Sequence, residues 1–143
     1  MQYRLEGNKI LLVLEKGDEI LQSIYTVINE TDIKFGWING IGAAENITLG
    51  AYPLKLKDYI KKEFEGEFEL TSLMGNISTK NGNPFVHIHA SISDEACNAY
   101  GGHLFSGTIT ATAELVILSS VSAVNRKESS EIGLYLWDLN ENN

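Results

Sequence analysis

The chain has 143 residues, of which 43% are apolar and 21% are charged, and its 19 acidic residues outnumber its 11 basic ones. A chain of this length buries a sizeable core without disulfides, and its one long apolar run, residues 10–14, is far too short to cross a bilayer. The formal net charge of −8 opposes contact with a phosphate backbone, and the one lysine cluster, residues 55–62, runs directly into four glutamates. We therefore expect a globular protein that contacts neither a membrane nor nucleic acid.

Cysteine usage and the first residues indicate the compartment. The single cysteine, Cys97, cannot form an intrachain disulfide or supply a cysteine-based zinc cluster. The first nine residues are mostly polar or charged, where a secretory signal needs an apolar core. Both observations predict a cytoplasmic protein.

The N-terminal part of the chain predicts a hairpin, a helix and a glycine-rich segment. Apolar stretches on either side of the Gly7–Asn8 pair predict an opening hairpin. From Asp18, which is a suitable cap, apolar residues recur at helical spacing until a polar segment ends the pattern, so we predict one amphipathic helix over about residues 18–30. Segment 35–52 then predicts strands that are interrupted by a tight turn or a bulge.

In the C-terminal part of the chain, polar and apolar residues alternate with a period of two. Acidic and apolar residues alternate over 63–78, which predicts a half-exposed strand. A second strand over 84–93 has an apolar face made by Val86, Ile88, Ala90 and Ile92, and an opposite face made by Phe85, His87, His89, Ser91 and Ser93. A turn leads to a long strand over 103–118 that is rich in β-branched residues. Together these elements predict one α+β domain over residues 1–143, dominated by strands with one or two helices.

All three histidines lie between residues 87 and 103. Residues two apart share one face of a strand, so His87 and His89 project together from Cα atoms roughly 6.5–7 Å apart. The step of fourteen residues to His103 lets the chain turn and return along a neighbouring strand, and the Gly101–Gly102 pair frees the backbone there. Three imidazoles with an open fourth position are typical of a catalytic zinc site, although nickel, iron, manganese and cobalt also accept imidazole. The alternative is three histidines that pack without a metal.

A nearby carboxylate would make such a site catalytic. Plain alternation puts His103 and Leu115 on one face and Glu114 on the other unless a bulge intervenes, so we interpret Glu114 as structural or interfacial. Glu69 is the predicted catalytic carboxylate, and the alternative is that it is one more exposed strand acid.

Four segments in order resemble the plant and prokaryote conserved (PPC) domain family. They are GWINGIGAAENITLGAY (36–52), FEGEFELTSLMGNIS (64–78), PFVHIHASISD (84–94) and GGHLFSGTITATAELVI (101–117). The resemblance covers nearly the whole chain and implies a free-standing prokaryotic member with a strongly bent, mostly antiparallel sheet that forms a homotrimer. Free-standing members are often described as candidate DNA-binding proteins. This chain lacks the Arg-Gly-Arg-Pro hook of the plant members and has only two arginines, so we do not expect it to bind DNA.

The PPC fold is also similar to that of acetolactate decarboxylase, a zinc enzyme with a His-x-His pair and a later histidine that match His87, His89 and His103. That resemblance implies a divalent metal, with zinc expected, but it does not transfer the reaction. The leading hypothesis is a homotrimer whose metal is open to a small ligand. The alternatives are a non-enzymatic DNA-associated or assembly module without a functional metal, and a sensor whose metal tunes the trimer contacts.

Overall fold

The computed structural model describes residues 1–140, which form eight strands and one helix. The elements in chain order are β1 (Gln2–Glu6), β2 (Lys9–Glu15), α1 (Ile20–Thr31), β3 (Phe35–Ala51), β4 (Ile60–Lys80), β5 (Asn83–Ser93), β6 (Ala99–Ser120), β7 (Asn125–Ser129) and β8 (Leu134–Asp138). The last three residues of the domain predicted over 1–143 lie outside the described residues. The expected α+β class is confirmed, with one helix among the described residues.

All eight strands belong to one sheet with the order β1-β2-β6-β3-β4-β7-β8, and β5 pairs with both β4 and β6. The pairings are antiparallel except for a short parallel one between β4 and β7. Because β6 and β4 also flank β3, the strands β3, β4, β5 and β6 close into a ring. A sheet that closes in this way has to bend strongly, which confirms the expected bent sheet.

The predicted opening hairpin and the predicted helix are both present. The last residue pair between β1 and β2 is Glu6 with Lys9, which leaves a two-residue turn between the strands. The helix begins one residue after its true cap, Glu19, whose carboxylate accepts a 2.7 Å hydrogen bond from the backbone N–H of Gln22. Asp18, the predicted cap, instead accepts from the backbone N–H of Glu15 and pairs with the terminal amine, so that part of the prediction was wrong.

Helix α1 covers one face of the sheet. Its buried side chains Ile20, Ile24, Val27 and Ile28 join one apolar core with residues from β2 to β6. At its far side the hydroxyl of Tyr25 accepts a 3.2 Å hydrogen bond from the backbone N–H of Val86 and ties the helix to β5. The described helix is 12 residues long, and none in the described part of the chain has the length and apolarity needed to span a membrane.

Segment 35–52 forms one continuous strand rather than several. The expected bulges are present, because the register of β3 against β4 shifts between Gly40 and Gly42 and again between Glu45 and Ile47. β3 also approaches β6 so closely that a Cβ on Gly42 would lie 2.5 Å from the Cβ of Ala113. The bulges bend the strand without ending it.

The predicted alternation along the last long strand was wrong. Leu104 is buried, whereas further along β6 the buried residues are the odd-numbered Ile109, Ala113 and Leu115. The change of phase follows from the bulges, because the register of β6 against β3 shifts three times between Gly42 and Leu49. The side chain of His103 therefore lies on the face of β6 that is turned away from the buried Leu104. It does not share a face with Leu115.

Candidate metal centre

The pairing of β5 with β6 brings all three histidines together. His89 lies directly opposite His103 in this antiparallel pair, and His87 follows on the same face of β5. Their potential ligand nitrogens all lie within 4.8 Å of one another, and the ring centroids are 5.1–5.6 Å apart. The structure thus contains the cluster that the spacing predicted.

Local sequence explains why the rings meet. The apolar residues Val86, Ile88 and Ala90 are buried, so the pleat turns His87 and His89 to the other face, as predicted. A short turn then fixes the register, because the Asp94 carboxylate accepts hydrogen bonds from the backbone N–H groups of residues 96 and 98. This turn sets His103 against His89.

Of the two glycines before His103, Gly102 serves close packing, and neither is needed for unusual backbone freedom. Neither glycine has a positive φ. A Cβ on Gly102 would lie 2.8 Å from the carbonyl oxygen of Gly50 on β3, whereas a Cβ on Gly101 would find its nearest neighbour at 3.4 Å. Gly102 therefore allows β3 and β6 to approach each other beside His103.

Two ring nitrogens of the cluster contact each other, and a third has no partner among the described residues. The Nε2 atoms of His87 and His89 are 3.3 Å apart. The Nδ1 atom of His103 is buried and has no hydrogen-bond partner among the described residues. A buried polar atom without a partner costs free energy, and a metal ion that accepts its lone pair removes that cost. The donor set therefore fits a divalent cation.

Burial keeps two of these histidines neutral. It lowers the pKa of His87 to about 4, with smaller contributions from the charges of Arg126 and His89. It likewise lowers the pKa of His103 to about 4, helped by His87, His89 and Lys61. Near pH 7 both rings are uncharged, and the neutral imidazole is the form that binds metals.

A cavity of about 460 Å³ opens beside His87 and His103. Its walls include four aromatic rings, those of Tyr59, Phe85, Phe105 and Tyr135. The ring of His103 packs against two of them, with centroids 5.0 Å from Tyr59 and 4.7 Å from Phe105. The histidines therefore border a space of ligand size with an apolar lining.

Arg126 lines the same cavity, and the sequence analysis missed it. Its guanidinium donates hydrogen bonds to Ser78 Oγ (2.7 Å), to the carbonyl oxygen of Tyr135 (2.7 Å) and to Asn76 Oδ1 (2.9 Å). Its Cζ atom also lies 4.7 Å from the ring centroid of Phe85. The available signal was its rarity, since it is one of two arginines in an acidic chain.

The structure does not bring Glu69 to the histidines of its own chain. Glu69 is exposed, lies opposite Ala43 and Ser93, and lines a separate cavity of about 560 Å³ together with Glu114. Met74, the β4 residue opposite His89, is five positions further along, roughly 16 Å in an extended strand. A catalytic role for Glu69 stays a prediction.

An exposed apolar face adjoins the histidines. We call it the outer face, and its large side chains are 38–59% exposed: Val13, Trp37, Ile41, Met74, Val116 and Leu118. Cross-strand pairing makes it continuous, since Trp37 lies opposite Leu118 and Met74 lies opposite His89. A contiguous apolar surface of this kind is typical of a protein interface.

Comparison with known families gives one match. The model of the Plants and Prokaryotes Conserved (PCC) domain matches residues 1–121. No curated protein matches the chain.

Solved structures extend this match over nearly the whole chain. A "putative DNA binding protein" from Bacteroides thetaiotaomicron is 30% identical, with a TM-score of 0.94 and 98% of each chain covered. A plant- and prokaryote-conserved (PPC) protein from Pyrococcus horikoshii is 33% identical, with a TM-score of 0.85 over 96% of this chain and 94% of that one. A metal-containing protein from Archaeoglobus fulgidus is 35% identical, with a TM-score of 0.84 over 96% and 98%.

The expected likeness to acetolactate decarboxylase is confirmed for the fold alone. The enzyme from Bacillus subtilis is 16% identical, with a TM-score of 0.56 over 85% of this chain and 57% of the enzyme. The family match and the close superpositions agree with the motifs seen in the sequence. The chain therefore belongs to the plant- and prokaryote-conserved domain family.

Proposed function

We propose that this protein holds a divalent metal ion, with zinc as the best match, on His87, His89 and His103 and presents it to a small molecule. The observation that carries the proposal is the gathering of three ligand nitrogens within 4.8 Å. In tetrahedral zinc with Zn–N bonds of about 2.0–2.1 Å, two ligand nitrogens are about 3.3–3.4 Å apart. The 3.3 Å between the Nε2 atoms of His87 and His89 agrees with that value.

The surroundings of the histidines support a reactive or ligand-binding ion rather than a closed structural one. Three protein ligands leave a fourth position open, and the cavity beside His87 and His103 gives a small molecule room to reach it. Such an ion polarises a bound carbonyl or lowers the pKa of bound water to about 7. The relative described as a metal-containing protein supports the same proposal.

The proposal includes a homotrimer in which the whole chain, residues 1–143, acts as one domain. The outer face supports this assembly, because its exposed Trp37 and Ile41 need cover. Assembly also bears on Glu69, which can reach a metal-bound ligand only if a neighbouring subunit brings it there. The single exposed Cys97 suits the reducing cytoplasm, where we place the protein.

Metal analysis of the purified protein tests the proposal. We expect about one divalent ion per chain in the wild type and a negligible amount in the His87→Ala/His103→Ala variant, because one imidazole cannot hold the ion alone. Cys97→Ala is the matched control, since it removes the one thiol and should leave the metal content unchanged. Equal, negligible metal in the wild type and the double variant would contradict the proposal.

A second candidate function is a DNA-associated or assembly module without a functional metal. The "putative DNA binding protein" from B. thetaiotaomicron favours it. The net charge of −8 opposes it, because a protein must displace counterions from phosphates with lysine and arginine. We expect no shift of a DNA duplex at about 150 mM salt, a concentration at which specific binders still bind. A shift that weakens steeply with added salt would favour this candidate instead.

A further inference from the structure

We propose that the ligand of this site is a small organic carboxylate with an apolar body, which Arg126 binds beside the metal-binding histidines. This inference rests on the proposed function, because it names the class of molecule that the histidine cavity receives. It is carried by the charge of the cavity, the state of Arg126 and the chemistry of the walls.

The cavity beside His87 and His103 is cationic in an acidic protein. Arg126 and Lys80 line it, and among residues 1–140 no aspartate or glutamate does. Lys61 adds a third positive charge nearby, with its Nζ atom 3.9 Å from the ring centroid of Phe105. In a chain with 19 acidic and 11 basic residues, this local reversal of charge concentrates positive potential and attracts anions.

Arg126 is half-buried and has no carboxylate partner among the described residues. Its three hydrogen bonds go to a hydroxyl, a backbone carbonyl and a side-chain amide, all of which are uncharged. A guanidinium has five N–H donors, so two remain for a ligand. Withdrawing a charge from water without a counter-charge is unfavourable, and an anionic ligand would supply that counter-charge.

The position of Arg126 places this charge next to the proposed ion. Its Nη2 atom donates a hydrogen bond to Asn76 Oδ1, and Asn76 is the cross-strand partner of His87. The planar guanidinium matches a carboxylate in geometry, and Arg126 lines the same cavity as His87 and His103, which would hold the ion. A carboxylate there would contact both.

The other walls determine the body of the ligand. The rings of Tyr59, Phe85 and Phe105 supply flat apolar surface in a cavity of about 460 Å³. That volume is at the lower end of the range for small-molecule sites. A carboxylate attached to an aromatic or branched apolar group therefore fits better than a highly charged phosphate.

Benzoate and benzamide test the inference, because they share one shape and differ in charge. In calorimetric titrations of the metal-loaded protein, we expect benzoate to bind about tenfold more tightly than benzamide, since hydrogen bonds between charged groups are stronger than those to a neutral amide. Arg126→Gln should reduce this preference to what the ion alone supplies, and Arg126→Lys should retain more of it. Arg4→Gln is the matched control, because Arg4 is the other arginine, pairs with Glu6 in β1 and is 71% exposed.

The outcomes separate this inference from the proposed function. Equal affinity for the two probes, no benzoate binding at millimolar concentration, or unchanged benzoate affinity in Arg126→Gln would overturn the inference even if the protein holds metal. A wild type without metal would overturn the proposed function, and the same probes on that metal-free protein would still test Arg126. If Arg126→Gln fails to fold, the loss of its thermal unfolding transition will reveal it. In that case the inference would be tested by comparing the benzoate preference of the wild type with that of Arg126→Lys.

Discussion

Single side chains at the metal centre have properties that surface histidines lack. An imidazole in water has a pKa of about 6.5, whereas burial keeps the pKa values of His87 and His103 at about 4. The same burial that makes both rings suitable ligands also makes their protonation unfavourable in the folded protein. Metal affinity and acid sensitivity therefore have one cause.

The stability of the metal-free protein should fall as the pH drops from about 6.5 to about 4. In that window the unfolded chain protonates both histidines while the folded chain keeps them neutral, so protons favour the unfolded state. Urea unfolding across this range measures the effect. The His87→Gln/His103→Gln variant controls for carboxylates, and its stability should fall less steeply. Parallel pH profiles for both proteins would contradict the prediction.

At the scale of strands, the site depends on how closely β3 and β6 approach. His103 lies opposite both His89 on β5 and Gly50 on β3, so any displacement of β6 moves one ligand relative to the other two. Gly102 controls this approach, because its missing side chain makes room for the backbone of Gly50.

Gly102→Ala should destabilise the fold by about 1–3 kcal/mol and weaken metal binding, because its Cβ would lie 2.8 Å from a backbone oxygen that cannot rotate away. Gly101→Ala is the matched control, because its nearest contact would be an ordinary 3.4 Å. Thermal unfolding and competition with a metal chelator measure the two effects. Equal behaviour of the two variants would show that the strands do not depend on this contact.

Sequence patterns predicted what depends on near neighbours along the chain. The period of two over 84–93 predicted the buried face of β5 and the shared face of His87 and His89. Arg126 gave no such pattern, because it reaches the cavity through a parallel β4–β7 pairing of two residue pairs. The phase change along β6 was also missed, since it arises from register shifts against β3. Features that depend on pairing between distant segments leave no periodic trace in the sequence.

At the scale of the whole molecule, the outer face and the metal centre are parts of one surface. Met74 joins them, because it is exposed on the outer face and lies opposite His89. Subunits that cover this face would therefore also limit access to the ion from that side. Assembly and ligand binding should influence each other in the proposed trimer.

Ile41→Glu should convert the proposed trimer into monomers without unfolding it. Ile41 is 59% exposed and lies opposite Glu114, so the new carboxylate would be both desolvated at the interface and repelled by a like charge. Light scattering after size-exclusion chromatography gives the mass, and circular dichroism gives the fold. Leu56→Glu is the control, because Leu56 is 61% exposed and lies outside the outer face. A wild-type monomer, or a trimer that survives Ile41→Glu, would contradict this assignment.

The closed ring of β3 to β6 has one further consequence. His89 opposite His103 is the last of the five β5–β6 pairs, beyond which β5 separates from β6 and runs along β4 alone. An ion held by His87, His89 and His103 would link β5 to β6 at the point where the two strands separate. Removing it should therefore speed amide hydrogen exchange first at residues 99–103, while the β1–β2 hairpin, far from this point in the order of strands, keeps its protection.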